Sequence, residues 1–207
     1  MHVVEFDPGG YRFIHVPGVF QFSSGVLAQP GYEVERVRLA APLPLADGFR
    51  VIADRLAAAG RPVTALCAME LRSPAPFTDQ GFVDFNRQYV GQLERWGLFT
   101  DEVTPVARTN VCPARRAPAV PSLHAFAYTV AATRHSPTFV LAGSSEADQG
   151  PGEYHDSIVR RGDVSVAGMR EKLACIRTEQ EKRLRTLGLD WSNVERSRLY
   201  TVQELGG

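Results

Sequence analysis

One pattern of glycines and leucines recurs in this chain and limits its fold more than any other feature. Leu56-Ala-Ala-Ala-Gly60 leads on to Leu71, and Leu184-Arg-Thr-Leu-Gly188 leads on to Leu199 at the same spacing. Each helical stretch follows an apolar run that ends in glycine, Phe22-Ser-Ser-Gly25 in one copy and Phe139-Val-Leu-Ala-Gly143 in the other. A strand–helix–strand unit is therefore expected twice. The first copy continues into another helix and more strands, and the second is shorter. The expected organisation is α+β: a domain over residues 1–134 with helices on one face of a sheet, then a partial second βαβ repeat over 135–207. Helices on one face leave the other face to be covered. Another copy's sheet would cover it, so a homo-oligomer is expected.

Residues 19–23 alternate apolar and polar and predict a strand, followed by a turn at Gln29-Pro30-Gly31. Phe49, Ile52, Ala53 and Leu56 recur at helical spacing, predicting a helix over 46–59 with Asp47 as N-cap and Gly60 just past its end. Residues 63–71 read as a strand. A second helix is expected over 78–96, capped by Thr78, with Phe82, Phe85, Tyr89 and Leu93 as its apolar stripe. Strands are expected at 105–111, 123–132 and 138–142, loops at 114–121 and 144–156, a long helix at 164–187 and a last strand at 194–202.

Charge and cysteine usage exclude several classes of function. Lys plus Arg (23) balances Asp plus Glu (23), so no nucleic acid or anionic membrane is expected as a partner. Cys67, Cys112 and Cys175 form no CxxC pair and no disulfide framework, and the five histidines show no metal-binding spacing. No metal site is expected. No apolar run is long enough to span a membrane, and Met1-His2-Val3-Val4-Glu5-Phe6-Asp7 lacks the basic and apolar regions of a signal peptide. A cytoplasmic protein is expected.

The chemistry-bearing candidates are Tyr11 after Gly9-Gly10, Ser24-Gly25, Asn86 and Tyr89 within Phe82-Val-Asp-Phe-Asn-Arg-Gln-Tyr89, and Arg108 within Pro105-Val-Ala-Arg-Thr-Asn-Val111. A guanidinium fork suits a planar carboxylate, which a lysine does not match. Each residue also has a plainer reading. Arg108 fits a surface ion pair, Ser24 a turn, Tyr89 the helix core and His124 a satisfied buried histidine. Asn86 inside a helix runs against propensity and calls for a specific hydrogen-bond partner, structural or catalytic.

In order and spacing, residues 11 to 132 resemble the RidA (YjgF) family of enamine/imine deaminases. The matching pieces are Tyr11, Ser24-Gly25, Ala59-Gly60, Phe82 to Tyr89, Arg108 and Val120-Pro121. Glu70-Leu-Arg-Ser-Pro-Ala-Pro-Phe77 and Asn110-Val-Cys-Pro113 are similar to the aminomuconate deaminase branch, which includes enzymes of 2-amino-5-chloromuconate. The resemblance implies a chorismate-mutase-like fold, a homotrimer, clefts between subunits and no cofactor. It implies a small dicarboxylate substrate of aromatic-compound degradation and hydrolytic release of ammonia. By the resemblance, Arg108 clamps a carboxylate, Tyr11 and Ser24 line the substrate pocket, and Asn86 hydrogen-bonds a backbone group or the substrate; Asn110 and Tyr128 are counted with this substrate-binding set.

The family's glutamate, which positions the attacking water, falls at Ala127 here, and 123–132 contains no acid. His124 or Tyr128 is the expected substitute, histidine being the residue type best suited to proton transfer near neutral pH, and the catalytic set expected is Arg108, His124 and Ser24. The glutamine expected after Ser24-Gly25 is Val26, and the cysteine expected two residues beyond Arg108 is Asn110. Two other readings are carried. One is a chorismatase-like enolpyruvyl hydrolase, suggested by the two-part layout and by the stretch from Gly162-Asp163-Val164 to Tyr200-Thr201. The other is a non-catalytic RidA-like ligand-binding protein, suggested by the missing glutamate.

Overall fold

The computed structural model describes residues 1–147 and 156–203. The chain divides into two compact units, Met1–Ala142 and Gly143–Gly207. No helix among the described residues is long and apolar enough to cross a membrane.

The first unit is α+β. Its elements are β1 (His2–Phe6), β2 (Tyr11–His15), β3 (Gly25–Ala28), β4 (Tyr32–Pro44), α1 (Leu45–Ala58), β5 (Leu66–Arg72), α2 (Asp79–Arg95), β6 (Ala107–Val111), β7 (Ser122–Ala131) and β8 (Phe139–Leu141). One sheet runs β1-β2-β3-β8 and the other β4-β7-β5-β6. Within the second sheet β5 and β6 are parallel. A parallel pair needs a long crossover, and α2 lies between these strands in sequence.

Two apolar clusters hold the unit together. Phe49, Ile52 and Leu56 of α1 and Phe85, Tyr89 and Leu93 of α2 pack on Leu66, Met69, Phe126 and Tyr128 of the second sheet. A second cluster joins the sheets to each other, with Tyr11, Phe13 and Val26 against Cys67, Ala107 and Ala127. Small side chains on the second sheet admit the bulkier ones of the first. Part of the helix-free face is therefore covered by the chain's own strands, where the sequence reading assigned the whole of it to another copy.

Local signals explain both agreements and differences. Thr78 caps α2, its hydroxyl accepting from the Gly81 amide (3.1 Å). Gly60 and Gly97 follow their helices with φ of +64° and +70°, the left-handed conformation glycine adopts cheaply. Asp47 is not the cap of α1: Pro44 holds that position without a side-chain bond, and Asp47 sits in the first turn paired with Arg50. Residues 19–23 are not a strand, and Ser23 alone bridges to Ala107. The strand starts at Gly25, where an added Cβ would meet the Leu141 side chain at 2.8 Å. That glycine is there for close strand approach rather than to stop the chain. β8 pairs with β3, placing Leu141 beside Gly25, so the first unit extends to Ala142, past the boundary read at 134.

The second unit contains α3 (Val166–Thr186), capped by the Ser165 side chain, and a 3-10 turn (Trp191–Asn193) opened by a capping box at Asp190. Residues 194–202 form no strand. Without β8, which joins the first unit, the second βαβ copy is reduced among the described residues to its helix. Residues 148–155 of the loop expected at 144–156 lie outside the described residues.

Candidate active site

The parallel register sets the site. Arg108 on β6 lies beside Met69 on β5, whose side chain joins the core beneath the helices. Arg108 therefore enters the space under α2. Its Nη1 donates to Asn86 Oδ1 at 2.6 Å. The guanidinium carbon is 4.9 Å from the Tyr89 ring centroid, 5.6 Å from that of Phe22 and 5.8 Å from that of Phe85. Arg108 is 6% exposed. Among the described residues no carboxylate lies within ion-pair distance of it. Burial lowers its pKa to about 10, with Tyr89 opposing, and it is still cationic near neutral pH. A desolvated guanidinium with aromatic walls and one neutral acceptor has the chemistry to receive an anion.

Asn110, two residues further along β6, shares that face and is hydrogen-bonded to Ser73 through its Nδ2 (2.9 Å). Tyr89 follows Asn86 by one helical turn on α2. Its hydroxyl is buried and has no hydrogen-bond partner among the described residues. Burial raises its pKa to about 12 despite the opposing effect of Arg108.

The other expected site residues are placed differently. The Tyr11 hydroxyl is fully buried and donates to the Leu66 carbonyl (2.8 Å). Ser24 is buried, with its amide bonded to the Ile14 carbonyl and its own carbonyl accepting from Ala142, so its backbone stitches the first sheet together. The Tyr128 hydroxyl donates to Glu35 (2.9 Å) and accepts from Arg55 (3.1 Å), tying β7 to β4 and α1. His124 is half-buried at a register shift between β5 and β7 and faces Arg72, Glu70, Arg38 and Arg36. Burial, then Arg72, lowers its pKa, with Glu70 opposing. The fold thus brings Arg108, Asn86 and Asn110 together and sets His124 and Tyr128 in other clusters.

Two positions raised in the sequence, that of the missing glutamate and Tyr89, read differently in the structure. Ala127, where the family's glutamate falls, is buried in the cluster between the sheets. An acid lies nearby on the adjacent strand: Glu70 is paired in register with Ala125 and gripped by the Arg36 fork at 2.5 and 2.9 Å. An acid in the middle of an apolar strand run was the available signal. Tyr89 is the other; its place on the apolar stripe of α2 gave no sign that its hydroxyl would lack a partner.

Among the described residues no cluster of three or more His, Cys, Asp or Glu side chains is arranged to hold a metal ion. Two surface clefts, of about 520 Å³ beside Arg12, Gln29, Tyr32 and His135 and about 430 Å³ beside His15, Phe20 and Glu102, do not include Arg108.

The model of the family described as 2-aminomuconate deaminase CnbZ matches residues 3–207. A relative from Comamonas testosteroni, a 2-amino-5-chloromuconate deaminase, is 52% identical over 205 residues, spanning 98% of this chain and 81% of the relative. No solved structure matches the chain at a significant level.

Proposed function

The chain belongs to the 2-aminomuconate deaminase family, and we propose that it deaminates 2-aminomuconate or a chlorinated analogue by hydrolysis, within the degradation of aromatic compounds. The observation that carries this reading is the buried Arg108 guanidinium, which bonds to Asn86 and has no counter-ion among the described residues. A substrate carboxylate supplies the missing charge and takes up the free N–H groups of the fork.

The chemistry asks little more of the protein. The enamine takes a proton on carbon and gives one up from nitrogen, becoming an imine. Water adds across the C=N bond, the C–N bond of the resulting carbinolamine breaks, and ammonia leaves carrying both protons of the water. The product is the 2-oxo acid. Arg108 binds the carboxylate beside the amino-bearing carbon and stabilises the charge that shifts as water adds. Asn86 fixes the plane of the fork, and Asn110 lies on the same face, in reach of the bound acid. No electron is transferred, so no redox cofactor is called for. We extend the proposal to a RidA-like, chorismate-mutase-like homotrimer acting in the cytoplasm.

The test is ammonia release from 2-aminomuconate by the wild type, Arg108→Lys and Arg108→Ala. The wild type should release one ammonia per substrate. Both variants should lose about 10²-fold or more in kcat/KM while their circular dichroism is unchanged. Full turnover by Arg108→Ala would overturn the reading.

A further inference from the structure

Tyr11, Tyr89 and Tyr128 are all buried to within 1%. Tyr11 donates to a carbonyl and Tyr128 to a carboxylate. Tyr89 donates to nothing among the described residues. A buried phenol normally finds a partner, and leaving one unpaired costs stability that a phenylalanine of the same shape would not.

The unmet donor has a neighbour of the same kind. The Arg108 guanidinium carbon lies 4.9 Å from the Tyr89 ring centroid, and that guanidinium bonds to Asn86 while meeting no carboxylate among the described residues. Asn86 and Tyr89 sit one turn apart on α2, so the helix presents an acceptor for the fork and a free donor together. The Tyr89 hydroxyl and the Arg108 N–H groups that Asn86 does not take up are neighbouring donors that complement the lone pairs of one carboxylate. The phenol keeps its proton through the neutral range, since burial holds its pKa near 12, and so it donates rather than acting as a base.

We propose that the Tyr89 hydroxyl is a substrate-binding group that donates a hydrogen bond to the same carboxylate that Arg108 holds. The proposal rests on the reading of Arg108 as the carboxylate clamp. It assigns Tyr89 a part in recognition and gives an aromatic wall of the site a polar point of contact.

Tyr89→Phe removes the one oxygen and keeps the ring. Calorimetric titration with muconate, a dicarboxylate without the reacting amine, reads binding alone. Steady-state kinetics on 2-aminomuconate give KM and kcat separately. The expected result is a muconate Kd and a KM raised about 10-fold or more, with a melting temperature equal to or above that of wild type. Unchanged muconate binding in Tyr89→Phe, alongside lost binding in Arg108→Lys, would overturn the role of the hydroxyl and leave the clamp standing. Unchanged binding in both variants would overturn the clamp and the hydroxyl together. Should Tyr89→Phe not fold, the ultraviolet difference spectrum of the wild type decides. Muconate should then produce a red-shifted tyrosine band that vanishes when Arg108→Lys is titrated, and a flat spectrum would overturn the proposal.

Discussion

Removing a guanidinium from water costs several kcal/mol unless an anion is near, and Arg108 is held without one among the described residues. Asn86 is the neutral residue that keeps this arrangement open. Asn86→Asp would place a carboxylate where the amide oxygen now accepts from Nη1. That variant should gain about 1–2 kcal/mol in chemical denaturation, because the buried charge acquires a partner. It should lose at least tenfold in kcat/KM, because the fork is then occupied. A gain in stability with full activity would show that the fork does not serve the substrate. Arg108 and Asn86 were legible in the sequence because a strand arginine and a helix asparagine stood in an ordered pattern. His124 and Tyr128 were chosen for their chemical type, and nothing in a strand sequence reports that one faces a charged cluster and the other is tied to Glu35. Tyr89 was read as core, which its burial supports, but burial alone does not reveal an unpaired hydroxyl.

At the scale of elements, the site depends on α1 and α2 packing closely on β5 and β7. Gly48 in α1 marks how close the approach is: a Cβ there would lie 2.7 Å from the Leu123 Cβ. Gly48→Ala raises helix propensity by about 1 kcal/mol, but the clash on a buried sheet costs about 1–3 kcal/mol. A net loss of stability is expected in urea unfolding, and a net gain would contradict the close packing. Both helices of the first unit were legible because apolar residues at helical spacing and a terminal glycine coincide. β4 was not, since Tyr32-Glu-Val-Glu-Arg-Val-Arg38 places charges on both faces: Glu35 bonds to Arg55 of α1, and Arg36 grips Glu70 on β5. Residues 194–202 alternate well enough to read as a strand but form none. Alternation states only that a segment can pair, and pairing needs an available edge.

At the scale of the whole molecule, the α+β class was legible and the arrangement of strands was not, because the bond between β3 and β8 joins positions far apart in sequence. The same pairing carries the first unit to Ala142. Part of the helix-free face is covered from within by the first sheet, and the remaining face carries Arg36, Glu70 and His124. The homotrimer belongs to the proposal, and light scattering tests it: a solution mass of three chains is expected, and a monomer mass at micromolar concentration would remove the assembly from the account. A crystal structure of the protein with muconate bound decides whether Arg108 holds the substrate. One carboxylate is expected within about 3 Å of the Arg108 guanidinium, beneath α2. Muconate seated elsewhere, as in the cleft beside Arg12 and His135, with nothing bound at Arg108, would contradict it.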